Sequence, residues 1–281
     1  MSLIASAAAV LLSLSAPGGI AVKHDLAYAP GPRGKLDVYL PRRVGPGTPV
    51  AVFIFGGSWQ SGERGFYRFV GATLASRGIL TVIPDYRVYP QVRYPDFLRD
   101  NALAVRFVKQ HASEGGGDSA RLFLIGHSAG AYDVAMLAVD RRWLGEVGLD
   151  PRRDLAGAIG LAGPYDFLPL RDEKLKIIFG PKDQRPDTQP INHVDGHAPP
   201  MLLLAGSRDG VVDPGNSTRL AAAIEARGGE AEARIYPGIG HVGLLMAILA
   251  PFRRRAPVLA AIVDFIQLHS ASAGAEDKVA A

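Results

Sequence analysis

Between Arg121 and Val139 the chain changes its hydrophobic period within a few residues. Arg121-Leu122-Phe123-Leu124-Ile125 is a short apolar run that reads as a buried strand, and the residues from Ser128 to Val139 repeat at helical spacing. Between them stands Gly126-His127-Ser128-Ala129-Gly130, a G-x-S-x-G pattern. A strand that reverses into a helix over five residues, with glycines on both sides of a serine, lifts that hydroxyl clear of the sheet edge. The flanking glycines leave room for neighbouring backbones. The run Val50 to Phe55 is apolar throughout, as a strand covered on both faces of a parallel sheet should be.

The rest of the chain follows the same alternation. Further strands are expected at Ile20–Tyr28, Leu36–Leu40, Val50–Phe55, Ile79–Ile83, Ala156–Leu161, Met201–Leu204 and Ala231–Tyr236. The first two are joined by Pro30-Gly31-Pro32-Arg33-Gly34 and read as an antiparallel hairpin. Helical spacing links Phe66, Phe69, Val70 and Leu74, and recurs after Pro95, over Asn216–Ala226 and over Pro257–Leu268. This order implies an α/β fold, with about eight mostly parallel strands and helices on both faces, in a single domain over residues 1–281. Residues 163–200, long and rich in proline and charge, read as a small cap inserted over the active edge. Residues 1–19 open with an apolar stretch that no lysine or arginine precedes. It reads as a packed helix or a signal remnant and is too short to span a bilayer. The compartment stays open, with the cytoplasm favoured over the periplasm or secretion.

A serine hydroxyl needs a base to take its proton during attack. In open parallel sheets active groups collect just past the carboxyl ends of strands. Of seven histidines, His241 alone occupies such a place, five residues beyond Tyr236. His127 adjoins the serine, but side chains diverge on a tight turn, so it reads as a packing residue. The carboxylate that would orient the imidazole is Asp209, close after the strand ending at Leu204, with Asp213 next and Asp166 after the sixth strand. Asp213 reads as the cap of the helix that follows. Oxyanion donors are expected from the amides of Gly57 and Ser58, in the turn after Phe55, and of Ala129 at a helix N-terminus.

Two competing patterns carry less. Gly238-x-Gly240-x-x-Gly243 has a dinucleotide spacing, yet Asp264 falls on a helical stretch where a second strand would be required. His193 and His197 flank Asp195, but Gly196 and Pro199-Pro200 exclude a ligand-presenting helix, so no metal is expected. The chain has no cysteine, which removes disulfides, thiolate metal sites and a cysteine nucleophile together. The net charge of +4 reads as solubility, because the one basic run, Arg253-Arg254-Arg255, lacks aromatic interleaving. Neither nucleic-acid binding nor stable membrane insertion is expected.

Taken with Pro84-Asp85-Tyr86-Arg87, Gly206-Ser207-Arg208-Asp209-Gly210 and Gly238-Ile239-Gly240-His241, these motifs make the chain resemble an α/β-hydrolase of the carboxylesterase type. The similarity is to the hormone-sensitive-lipase-like and feruloyl-esterase-like branches, over about Asp25 to Leu268. The resemblance implies a serine hydrolase of small carboxylic esters with short acyl chains, a triad of Ser128, Asp209 and His241, and no cofactor. It also implies Gly56, Trp59 and the cap residues Tyr165 and Phe167 beside the substrate, although the aromatic ones fit packing under the cap equally well. Phe55 and Ser58 depart from the histidine and third glycine common in relatives, which alters loop shape while sparing backbone donors. An arylformamidase cleaving N-formyl amides and a non-catalytic ligand-binding scaffold are the alternatives. A homodimer stays open.

Overall fold

The computed structural model describes residues 17–250 and 252–276. Residues 1–16, which hold most of the apolar N-terminal segment, lie outside the described residues. Eight strands form one sheet: β1 (Ala21–Ala27), β2 (Lys35–Leu40), β3 (Val50–Ile54), β4 (Leu80–Pro84), β5 (Leu122–His127), β6 (Gly157–Leu161), β7 (Met201–Gly206) and β8 (Ala231–Tyr236). Their spatial order is β1-β2-β4-β3-β5-β6-β7-β8. The β1–β2 and β2–β4 pairs are antiparallel and every other pair is parallel.

Burial follows position in the sheet. Strands β3 to β7 are buried at every residue, whereas the edge strands β1 and β8 are partly exposed. The irregular register in β1 between Lys23 and Leu26, with Asp25 at φ 59°, bends that edge and blunts it against further pairing.

The helices are α1 (Arg68–Ala75), α2 (Asp96–His111), α3 (Ala129–Val139), α4 (Arg141–Gly145), α5 (Pro151–Asp154), α6 (Glu173–Ile178), α7 (Gly215–Glu225), α8 (His241–Met246) and α9 (Val258–Glu276). Successive strand residues point to opposite faces. On β5, Phe123 meets Phe265 of α9 edge-on at 6.3 Å, while Gly126 faces Gly130 of α3. Helices therefore cover both faces.

Sequence and structure differ in detail. Strands β5 and β7 run on to His127 and Gly206, past their apolar runs, because these residues still pair with Leu161 and Tyr236. Helices α4 and α5 are too short to show a period, and each begins at an aspartate, Asp140 or Asp150, whose side chain accepts from its first turn. The expected helix at Pro257–Leu268 extends to Glu276. The connection over residues 163–200 carries α6 and two 3₁₀ turns.

Candidate active site

The parallel register brings the carboxyl ends of β3, β5, β6, β7 and β8 onto one rim, since Ile54 pairs with Gly126, His127 with Leu161, Leu161 with Leu204 and Gly206 with Tyr236. Ser128 follows β5 directly with φ 56° and ψ −122°, a left-handed conformation for a residue with a side chain. Such a conformation costs about 1–2 kcal/mol and persists where surrounding structure enforces it. Here the Ser128 amide donates to Leu161 O at 2.8 Å, and its own carbonyl accepts from Ala131 and Tyr132 at the start of α3. Both glycines of the pattern are required by contact: a Cβ on Gly126 would stand 2.2 Å from Gly130 O, and one on Gly130 would stand 2.1 Å from Ile54 O.

His241 opens α8, after the turn that follows β8. Its Nε2 lies 2.9 Å from Ser128 Oγ, and its Nδ1 lies 2.7 Å from Asp209 Oδ2. A carboxylate only accepts, so Nδ1 carries the proton and Nε2 is left to accept from the serine hydroxyl. Asp209 Oδ1 accepts from the amides of Val211 and Val212 at 2.8 and 2.9 Å. Both carboxylate oxygens are thus engaged, and the side chain is fully buried.

The other candidates fall elsewhere. Asp213 and Asp166 both pair with Arg219, and Asp213 also accepts from the Gly215 amide at the start of α7. His193 Nε2 donates to Asp187 O at 2.7 Å and His197 lies beside Asp195, each serving a local contact. His127 packs against His241 with ring centroids 5.0 Å apart, and its Nε2 is 3.3 Å from His241 O. Burial, then the neighbouring His241 ring, pushes its imidazole down to about 4, so it is uncharged at neutral pH.

A cavity of about 600 Å³ opens over this group. Ser58, Trp59, Ser128 and Ala129 line it on the sheet side, Phe167 to Asp172 on the side of residues 163–200, and Val211, Val212 and Arg219 elsewhere. Among the described residues the amides of Gly57, Ser58 and Ala129 have no acceptor. Ser58 and Trp59 are consecutive left-handed residues, at φ 54° and 56°. Phe167 and Trp59 stand in the cavity wall. Tyr165 does not: its ring is buried against Gly160 and Gly163, behind the wall. Gly56 is also set back, where a Cβ would meet His127 O at 2.7 Å, so its part is to let the turn approach the serine. Phe55, in place of histidine, stacks between Tyr67 and Tyr86.

Sequence reading missed the structure behind Trp59. Its ring is packed by Phe97, Tyr132, Phe167 and Phe179, and its indole N–H donates to Asp133 Oδ1 at 3.0 Å. Asn101 Nδ2 donates to Asp133 Oδ2, also at 3.0 Å. Full burial pushes the Asp133 carboxyl well above the usual carboxylate range, against the pull of these two donors. The signal was present: Asp133 is the single charged residue in an otherwise apolar helix, and such a group is paired.

A family model described as BD-FAE matches residues 36–224. The chain belongs to the BD-FAE family. Its members are α/β-hydrolases of the carboxylesterase type, and the sheet and helices described above have that architecture. The isoprenylcysteine alpha-carbonyl methylesterase ICME of Arabidopsis thaliana is 30% identical over 245 residues, covering 80% of this chain and 57% of the relative. Kynurenine formamidase of Salmo salar is 30% identical over 146 residues, covering 52% of this chain and 47% of the relative. The chain thus spans about half the length of the curated relatives it matches. Among solved structures, Thermogutta terrifontis esterase 2 phosphonylated by sarin superposes with a TM-score of 0.67 at 26% identity, covering 89% of this chain and 92% of that one.

Proposed function

We propose that this protein is a serine esterase that hydrolyses small carboxylic esters through an acyl-enzyme. The observation that carries the reading is the hydrogen-bonded line from Ser128 Oγ through His241 to Asp209, set beside unpartnered amides at the cavity floor. His241 takes the serine proton as Ser128 attacks the ester carbonyl, and Asp209 stabilises the imidazolium. The amides of Gly57, Ser58 and Ala129 receive the oxyanion. The imidazolium then protonates the leaving alcohol, and a water activated by His241 releases the acid. Relatives named as esterases and the phosphonylated neighbour support the reaction class.

The aromatic packing around Trp59 closes the space behind the oxyanion turn, which supports an acyl side that takes short chains. The larger space beneath residues 163–200, acting as the cap, takes the alcohol. A series of p-nitrophenyl esters from acetate to dodecanoate tests both parts. Turnover should peak at acetate to butyrate, and Ser128→Ala should lose roughly 10⁴-fold or more in kcat along with fluorophosphonate labelling. Full turnover in Ser128→Ala overturns the mechanism, and a maximum at long chains overturns the acyl assignment. The formamidase-named relative supports a second reading, cleavage of an N-formyl amide by the same groups. N-formylkynurenine turned over faster than p-nitrophenyl acetate would favour it.

A further inference from the structure

Two amides that flank the serine belong to different elements: Ala129 begins α3, and Ser58 sits in the turn after β3. An oxyanion hole works only if its donors keep a fixed spacing, so something must register the turn to the helix. The turn holds itself internally, with Gln60 and Ser61 donating to Gly57 O and Tyr89 donating to Trp59 O at 2.7 Å. None of those contacts reaches α3. The ring of Trp59 packs edge-on against Tyr132 of that helix, and the hydrogen bond that reaches it comes from the same indole, which donates to Asp133 one helical turn beyond Ala129. Asp133 is itself fixed from α2 by Asn101, and all three residues are buried.

We infer that Asp133 is a positioning residue for transition-state stabilisation: by accepting the Trp59 indole hydrogen it locks the Gly57–Trp59 turn to the helix carrying the Ala129 amide. The inference rests on the serine-esterase reading. It assigns Asp133 no contact with substrate and no proton transfer. A carboxyl group is not required, only an acceptor at that point. Asn101 Oδ1 is buried with no partner, so once the Asn101 amide turns over, an amide in place of the Asp133 carboxyl can accept from Trp59 and donate to Asn101 Oδ1.

The test compares Trp59→Phe, which keeps a ring and removes the N–H, with Asp133→Asn, which keeps an acceptor. Turnover of p-nitrophenyl acetate is measured per serine labelled by fluorophosphonate, alongside inhibition by an aryl trifluoromethyl ketone, whose adduct with a serine carries an oxyanion. In Trp59→Phe we expect kcat to fall about 10- to 100-fold with KM within about threefold. The trifluoromethyl ketone inhibition constant should rise by the factor lost in kcat/KM, and Asp133→Asn should stay within about threefold of wild type throughout. A purely structural role would lower the melting temperature and the labelled fraction but leave kcat per labelled serine unchanged. That result overturns the inference, as does a loss in Asp133→Asn equal to that in Trp59→Phe. Should Trp59→Phe not fold, Asp133→Ala must show the loss that Asp133→Asn does not. Failure of the esterase reading would appear instead in wild type, as absence of the label on Ser128.

Discussion

His127 shows how a single residue beside the serine can serve the site by remaining uncharged. Its folded value near 4 lies below the 6.5 of a free imidazole. Between those values the unfolded chain binds the extra proton and the folded chain does not, so acid favours unfolding. The stability is complete above pH 6.5 and declines as pH falls towards 4, by about 3 kcal/mol in all. His127→Gln keeps a donor for His241 O and removes the titration. Melting temperatures from pH 7 to pH 4.5 should therefore fall less steeply in the variant, and parallel curves would refute the assignment. His269, whose imidazole is also lowered by burial, is common to both proteins and cancels. At this scale the sequence was readable where a residue closely follows the end of a strand: Ser128, Asp209 and His241 stand out for that reason and lie within hydrogen-bond distance in series. It was opaque where a side chain acts through another, because the Trp59–Asp133 bond joins residues 74 positions apart with no local pattern.

At the scale of elements, the turn at Ser128 depends on α3 lying almost in contact with β3. Gly130 makes this possible, since its Cα faces Ile54 O with no space for a methyl group. Gly130→Ala must push the helix away from the sheet, or the turn off the serine conformation, and we expect it to cost roughly 3 kcal/mol or more. Urea unfolding with a matched Gly145→Ala control, whose position has nothing within 4 Å, measures the difference. Equal midpoints for the two variants would contradict this packing. Elements with a clear apolar pattern, such as β3 and α2, were legible from the spacing of their residues. Helix α8 was not, because its six residues begin at His241 and the hydrogen bonds that set it up are made by the Gly240 and Gly243 carbonyls rather than by a distinctive side-chain pattern. Residues 163–200 stand out in the sequence by length, proline and charge, yet which of their aromatics faces the cavity depends on how the chain turns. The turn at Pro164 sends Phe167 inward and Tyr165 under β6.

Across the whole molecule, Ser128 follows a strand from the sheet interior, while Asp209 and His241 follow the last two strands. Among the described residues β8 pairs with β7 alone, and it keeps partly exposed residues along its length. Opening free energies are lowest at such margins. Fraying there would carry the imidazole away from the hydroxyl while Phe53, Phe97 and Phe123 remained packed in the middle. In a urea series, hydrolysis should vanish at a lower concentration than the near-ultraviolet dichroism of the aromatic core, and coincident midpoints would argue against it. Under the proposed esterase reading, turnover would gauge the sheet's outermost seam, and an intact spectrum alone would not report on it.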